Sequence, residues 1–158
     1  MDTNTIVVPR GNGKEAVKER ERIIHDYYQQ WRKDHEDQKL FNLNLKEFIN
    51  IRQVSMIETV EHASKSYLST LAVLQLDAIL TNARKVKMVP KDKKSKNQEK
   101  FDSMILMEYT SPGIGLIKLT VGVMRRTHDK VQYCITAIES ETRKAPLKDA
   151  SLCPGKTQ

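Results

Sequence analysis

The feature that most constrains the fold of this chain is the placement of its glycines and prolines. Neither residue occurs between Lys14 and Val89. Because glycine and proline are the least favourable residues in a helix interior, their absence over so long a stretch favours helices. Beyond Val89 both residues return and apolar residues begin to alternate with polar ones. The sequence therefore predicts an α+β domain, with helices first and strands later.

Three helical runs are predicted before residue 84. In residues 14–34, Val17, Ile24, Tyr28 and Trp31 recur at helical spacing and form an apolar stripe on a charged helix. Residues 34–42 break this pattern and indicate a connection, and residues 44–54 follow as a second helix with Asn44 as a plausible N-cap.

The third helical run covers residues 56–82 and starts at Ser55 and Glu58, which have the spacing of a capping box. A break at Ser64 or Ser66 would divide this run into two helices. His62 would then lie at the junction, close to a helix N-terminus.

Strands are predicted in the second half of the chain. Short apolar runs indicate strands at residues 86–89 and 101–109. Residues 116–126 and 130–139 alternate with a period of two and are joined by a short polar turn, which is typical of a β-hairpin. The apolar side of this hairpin is predicted to carry Ile117, Leu119, Val121 and Val123 on the first strand and Val131, Tyr133, Ile135 and Ala137 on the second. We expect a small antiparallel sheet centred on the hairpin, with a helix packed on one face.

This pattern predicts one folded unit with loose ends. Residues 1–13 are predicted to be a flexible N-terminus, and residues 140–158 a loose C-terminal tail without periodicity. Between them, residues 14–139 form a single domain, made of a helical extension at residues 14–54 and a core at residues 55–139.

The net charge of +7 is concentrated in two segments. Residues 87–100 hold six lysines against two acidic residues, and residues 143–158 carry a net +3, so the rest of the chain is neutral. A basic loop attracts phosphate without sequence preference, although a lysine run is also typical of a solvated linker. Because its lysines repel one another and few apolar groups accompany them, we expect residues 90–100 to project from the body.

Several classes of protein are disfavoured by composition. No run approaches the roughly 20 apolar residues of a membrane span, and the apolar run at residues 6–8 is too short for a signal peptide. We therefore expect a cytoplasmic protein, without a membrane partner. Cys134 and Cys153 belong to no CxxC pair or His/Cys cluster, so the sequence predicts no metal site, and it indicates no cofactor.

The order of elements from His62 to Glu139 resembles small nuclease domains of the barnase, EndoU, colicin and RelE superfamily, in the versions carried by phages and mobile elements. A histidine precedes a helix, here "YLSTLAVLQLDAILTNARKV", and a lysine-rich loop follows. The strands after the loop carry a basic residue and a hydroxyl group on adjacent strands. The resemblance covers about half of the chain and leaves residues 14–54 unexplained.

This resemblance implies cleavage of RNA without a metal ion, through an acid and a base that move protons and a cation that stabilises the crowded phosphate. It implies His62 as the acid or base and Lys118 or Arg125 as the phosphate clamp. Tyr133 or Thr136 would supply a further polar group. The side chains expected to bind the RNA backbone are Lys91, Lys93, Lys94, Lys96 and Arg126.

Each of these residues also has a structural interpretation. A histidine at a helix start is structural more often than catalytic, and Lys118 alternates outward towards solvent. Arg125 and Arg126 would be solvated charges at the end of a hairpin, and Tyr133 would belong to the core. A second class of function therefore stays open, a non-enzymatic protein-interaction module of a phage or mobile genetic element whose N-terminal helices dock a protein partner. The oligomeric state is not predicted.

Overall fold

A computed structural model describes residues 6–138, and over this range the chain is an α+β fold. Four α-helices, six strands and one 3-10 turn at Lys96–Gln98 make up the described part. The helices are α1 (Lys14–Asp34), α2 (Gln53–Ala63), α3 (Tyr67–Val73) and α4 (Leu76–Asn82). The strands are β1 (Lys39–Asn42), β2 (Glu47–Asn50), β3 (Arg84–Pro90), β4 (Phe101–Ser111), β5 (Gly115–Met124) and β6 (Lys130–Ala137). No described helix has the length and apolar character needed to cross a membrane.

All six strands form one sheet in the order β1-β2-β6-β5-β4-β3. Neighbouring strands run antiparallel except β2 and β6, which are parallel and pair only at Ile49–Lys130 and Asn50–Val131. The predicted β5–β6 hairpin is confirmed at the centre of the sheet. The prediction of a small, antiparallel sheet is wrong, because an additional hairpin, β1–β2, joins the sheet beside β6.

The β1–β2 hairpin occupies residues that were predicted to be a connection and a helix. The turn contains no glycine, and instead Lys46 adopts a positive φ angle of 60°, while Gln38, just before β1, has a φ angle of 53°. The buried Asn42 side chain accepts hydrogen bonds from the backbone N–H groups of Asn44 and Leu45 at 3.0 and 2.7 Å. An asparagine can hold a tight turn in this way without glycine. In this segment, the absence of glycine therefore does not indicate a helix.

The predicted third helical run is divided into α2, α3 and α4. The break predicted at Ser64 or Ser66 is confirmed, since Ser66 caps α3 by accepting a hydrogen bond from the Ser69 backbone N–H at 3.1 Å. The predicted capping box is displaced, because α2 already begins at Gln53 and Ser55 accepts from the backbone N–H of Arg52. His62 accordingly lies in the last turn of α2.

The main core lies between the helices and one face of the sheet. Ile24, Tyr28 and Trp31 of the predicted α1 stripe are buried in it. The predicted apolar side of β5 is also confirmed, since Ile117, Leu119, Val121 and Val123 are all buried. Because α1 has only this apolar side among many charged residues, burying the stripe is what holds the helix on the sheet.

The predicted apolar side of β6 is only partly confirmed, because the strand contains a β-bulge. Cys134 pairs with Thr120, but Gln132 pairs with Val121, which leaves Tyr133 as an extra residue. A bulge reverses the direction of the side chains that follow it. Ile135 consequently joins the main core, whereas Val131 and Tyr133 join a second cluster with Phe101 and Met104.

The outer edge of β6 is free of strand pairing beyond Val131 and is covered by α2 and α3. The Ser69 hydroxyl accepts a hydrogen bond from the Ala137 backbone N–H at 2.8 Å. Thr59 of α2 accepts one from the Gln132 side chain at 2.9 Å. Covering the edge in this way satisfies polar groups that would otherwise need another strand.

The N-terminal segment contacts the helices through Arg20, whose side chain is fully buried. Its guanidinium donates to the backbone carbonyls of Pro9, Gly11 and Ser64 at 2.7–2.8 Å. The flexibility expected for residues 1–13 stays a prediction, and residues 1–5 lie outside the described range. The predicted C-terminal tail, residues 140–158, also lies outside it.

Gly122 allows a test of the packing of the second cluster. A Cβ atom added at this position would meet the Phe101 ring at 2.7 Å, and that ring is buried. We expect Gly122→Ala to lower the free energy of unfolding by about 1–3 kcal/mol, since the ring has to move. Urea denaturation followed by circular dichroism measures this difference. Gly113→Ala is the matched control because nothing lies within 4 Å of its added Cβ, and equal stabilities of the two variants would contradict the packing.

Candidate functional site

His62 is paired with a carboxylate one helical turn earlier. Its Nε2 atom lies 3.3 Å from Oε1 of Glu58, and the His62 side chain is 47% exposed whereas that of Glu58 is only 10% exposed. Residues four apart lie on the same side of a helix, which explains why the pair forms. A buried carboxylate that orients an accessible imidazole is the arrangement that general acid or base catalysis requires, and it also serves as a structural contact.

The lysine-rich loop is attached to this pair. The Asn97 side-chain amide donates a hydrogen bond to Oε2 of Glu58, and the Ser95 hydroxyl lies 3.3 Å from the Tyr133 hydroxyl. Gln98 accepts a hydrogen bond from the Asp92 backbone N–H at 2.7 Å. Most residues of the loop are exposed, as expected for a segment that projects from the body, but these contacts hold it against α2 and β6. Polar contacts to α2 and β6 supply the stabilisation that the apolar content of the loop could not.

Tyr133 lies under the loop as part of the second cluster. Its ring packs edge-on against Phe101, with 5.9 Å between the ring centroids. Burial raises the pKa of its hydroxyl, and the negative charge of Glu58 acts in the same direction, against hydrogen bonds from Ser95 and Gln98. The hydroxyl therefore stays protonated at neutral pH and is available as a hydrogen-bond donor.

Cys134 is a protonated thiol inside the same region. Burial, followed by the charge of Glu58, raises its pKa to about 11, and a hydrogen bond with Thr120 opposes this rise. Because the thiolate is the nucleophilic form of cysteine, such a residue is inert at neutral pH. Cys134 therefore acts as a small, partly buried side chain of β6.

Lys118 and Thr136 lie opposite each other on neighbouring strands. The Lys118 Nζ atom lies 2.9 Å from Oε2 of Glu108 on the next strand, so its charge already has a partner. Thr136 lies on the same face of β6 as Cys134. The charge of Glu58 raises the pKa of the Cys134 thiol, and His62 lies one helical turn after Glu58 in α2. We therefore expect His62 and Lys118 to lie towards the same end of the sheet, although no described hydrogen bond or ion pair joins them.

Arg125 lies at the opposite end of the sheet. It follows Lys118 by seven residues, which corresponds to roughly 23 Å along an extended strand. The start of α2 is joined to this end, because Nη2 of Arg52 lies 3.0 Å from Oδ2 of Asp129. His62 lies ten residues further along, about 15 Å along the helix axis. One phosphate consequently cannot contact Lys118 and Arg125 together.

Arg125 and Arg126 instead adjoin the lysine-rich loop. The Arg125 backbone N–H donates to the Lys100 carbonyl at 3.0 Å, and this joins the β5–β6 turn to the loop. We call residues 91–100 together with Arg125 and Arg126 the basic end. It holds seven cationic side chains against Asp92 and Glu99, a net charge of +5. All the cations except Lys91 are exposed, and Lys91 donates to the Glu99 carbonyl.

A groove of about 390 Å³ opens between the basic end and the start of α2. Its floor is apolar and is formed by Val54, Ile57, Phe101, Met124 and Val131. Its rim is largely polar and is formed by Arg52, Gln53, Lys96, Asn97, Glu99 and Lys100. We call this the basic groove. Sequence reasoning missed it, because its residues come from α2, the loop, β4, β5 and β6, and no local pattern connects them.

No group of three or more His, Cys, Asp or Glu side chains within residues 6–138 is arranged to hold a metal ion. For contacts with a ligand, this region offers hydrogen bonds, positive charge and the accessible imidazole of His62.

The thiol of Cys134 provides a test of the burial beneath the loop. A pKa of about 11 leaves about 100-fold less thiolate at pH 7.5 than the ordinary value of 9.0 would. In a Cys153→Ser variant, we expect Cys134 to react with iodoacetamide about 100-fold more slowly than a free cysteine does. The rate should rise about tenfold per pH unit up to pH 11. Labelling as fast as in the urea-unfolded protein at neutral pH would contradict the burial.

Comparisons with known proteins leave the family of this chain undetermined. A scan of protein families found no match, and searches of curated proteins and of solved structures found no significant similarity. The resemblance to small nucleases, the cytoplasmic location and the origin in a phage or mobile element therefore stay predictions.

Proposed function

We propose that this chain binds single-stranded RNA at its basic end. The observation that carries the proposal is the hydrogen bond between Arg125 and Lys100, because it joins two separate cationic segments into one surface. Lysine and arginine side chains bind phosphates without regard to base sequence. A surface that carries +5 of the net charge of +7 favours a polyanionic ligand.

The basic groove supports a ligand with unpaired bases. Its volume of about 390 Å³ is in the range of small-molecule sites, and its apolar floor lies beside Lys96, Lys100 and Arg52. An unstacked base can enter such a groove while its phosphates contact the cations at the rim. The bases of a duplex are stacked inside the helix and cannot do so.

The internal contacts of the loop also favour binding. Asn97, Ser95 and Gln98 hold the loop in place before any ligand is present. A loop that is already ordered loses less conformational entropy when it binds. The exposed lysines therefore form a surface that is ready to receive phosphates.

The loop lysines can be tested by the salt dependence of binding. We expect replacement of Lys93, Lys94 and Lys96 by Gln to weaken binding of a fluorescent oligouridine in anisotropy titrations. The slope of log affinity against log salt should flatten by about 0.7 for each phosphate that is no longer neutralised, or about 2 in all. Lys91 is left unchanged because its amine holds the loop through Glu99.

The matched control replaces Lys14, Lys18 and Lys33, which are exposed on α1, by Gln. This variant has the same net charge as the loop variant. A nonspecific charge effect would change both slopes equally, and that result would contradict binding at the basic end. Absence of RNA binding by the unaltered protein would favour the protein-interaction module instead.

A second function, cleavage of the bound RNA without a metal ion, is favoured by the His62–Glu58 pair. Val54, Glu58 and His62 follow one another at intervals of four residues, so they lie along one side of α2. Val54 is in the floor of the basic groove, and Asn97 contacts both the groove and Glu58. An RNA strand that leaves the groove along α2 would pass His62 after about 12 Å.

His62→Ala tests this second function. If His62 moves a proton during cleavage, we expect the rate of oligonucleotide cleavage to fall by about 10²–10⁴-fold while RNA affinity stays unchanged. Because His62 is about half exposed, the free energy of unfolding should change little. His25→Ala, at an exposed position on α1, is the control.

If the unaltered protein cleaves no RNA and His62→Ala unfolds at a lower temperature, the pair with Glu58 is structural. In that case the removal of a satisfied hydrogen bond would account for about 1–3 kcal/mol of stability.

A further inference from the structure

A second groove lies across the Arg52–Asp129 ion pair from the basic groove. It has a volume of about 480 Å³ and is formed by the β1–β2 hairpin and the start of β6. Its lining residues are Lys39, Phe41, Lys46, Glu47, Phe48, Asn50, Asp129 and Lys130. We call this the aromatic groove.

Two exposed phenylalanines distinguish the aromatic groove from the rest of the surface. Phe41 and Phe48 are cross-strand partners, with ring centroids 5.4 Å apart and ring planes at 78°. They are 41% and 47% exposed, and neither belongs to a buried cluster. An aromatic cross-strand pair stabilises a hairpin, but this role does not require half of each ring to face solvent. The exposed ring surface is thus available to a ligand.

The charges around the two rings favour an anionic ligand. Lys130 is paired with Glu47 at 2.9 Å, and Asp129 is paired with Arg52 at 3.0 Å. These pairs leave Lys39 and Lys46 without a carboxylate partner among residues 6–138. The Lys39 amine lies 4.5 Å from the centre of the Phe48 ring. Positive charge therefore surrounds exposed aromatic surface, which is the combination that single-stranded nucleic acids bind.

The two grooves are neighbours on the surface and meet at the Arg52–Asp129 ion pair. Arg52 lines the basic groove and its ion-pair partner Asp129 lines the aromatic groove. Asn50 and Val131, one from each groove, are paired across β2 and β6. A linear ligand held in the basic groove can therefore continue over the Arg52–Asp129 pair to the phenylalanines.

We propose that the aromatic groove is a second binding surface for the single-stranded RNA bound at the basic end. One unpaired base stacks on the exposed face of Phe41 or Phe48, and Lys39 and Lys46 contact the adjacent phosphates. This inference rests on the proposed function and extends it, since it predicts that the ligand is a strand long enough to span both grooves.

The test uses the whole chain and a fluorescent oligouridine of about 12 nucleotides, a length within the site sizes of single-strand binding folds. Replacing Phe41 and Phe48 together by Ala should lower its affinity by about 5- to 150-fold, which corresponds to the stacking of one base. The slope of log affinity against log salt should change by less than in the loop lysine variant, because stacking itself releases no counterions and Lys39 and Lys46 are kept. The loop lysine variant should show the opposite pattern, with a flattened slope.

The matched control removes exposed apolar surface at the other edge of the sheet. Val86 and Met88 of β3 are 53% and 48% exposed, and the double change Val86→Ala and Met88→Ala should leave the affinity unchanged. Circular dichroism checks that both double variants fold. An equal decrease of affinity in the two variants would overturn the proposal.

A second variant keeps the test decisive if the double alanine variant does not fold. Phe48→Trp places an exposed indole on the hairpin, and its fluorescence should be quenched when a base stacks on it. Absence of quenching at saturating RNA overturns the aromatic contact and leaves RNA binding at the basic end intact. Absence of any RNA binding by the unaltered protein overturns the proposed function itself, so the two failures are distinguishable.

Discussion

The side chain of Gln132 makes the contacts on which the arrangement of the helices and the sheet depends. It is fully buried, accepts a hydrogen bond from the Tyr28 hydroxyl at 2.6 Å and donates one to Thr59 at 2.9 Å. These two bonds tie α1, α2 and β6 together. The bulge at Tyr133 is what turns Gln132 towards the helices. Because an unpaired polar group in this position would be costly, the network favours this placement of α2.

The placement of α2 determines what lies at the surface. Thr59 contacts Gln132 in the main core, and the neighbouring side of α2, which carries Val54, Glu58 and His62, contacts the lysine-rich loop through Glu58. The loop is then held by Asn97 and Ser95, and its lysines are ordered beside Arg125 and Arg126. The bulge thus affects the proposed binding surface indirectly, since it orients the helix to which the basic end is attached.

The charges of this protein are used in two different ways. Lys118 and Lys130 are paired with carboxylates on neighbouring strands, so they contribute little to the field around the molecule. The cations of the basic end outnumber their acidic neighbours and lie in water. Exposed pairs add little to stability, whereas an unpaired cluster attracts polyanions over distances of about the Debye length. For this reason the basic end, and not the outer face of the sheet, is the stronger candidate for binding.

The sequence by itself determined the elements that depend on local periodicity: the α1 stripe, the break at Ser66, the β5–β6 hairpin and the lysine-rich loop. Tertiary structure decided the β1–β2 hairpin, because the Asn42 side chain and a positive φ angle at Lys46 form a turn that contains no glycine. It also decided which side of β6 is buried, since one extra residue reverses the alternation. The proposed grooves join residues distant in the chain. The periodicity and composition of the sequence reflect residues that are only a few positions apart. Only packing and hydrogen bonds between distant segments bring Arg125 to Lys100 or Asn97 to Glu58.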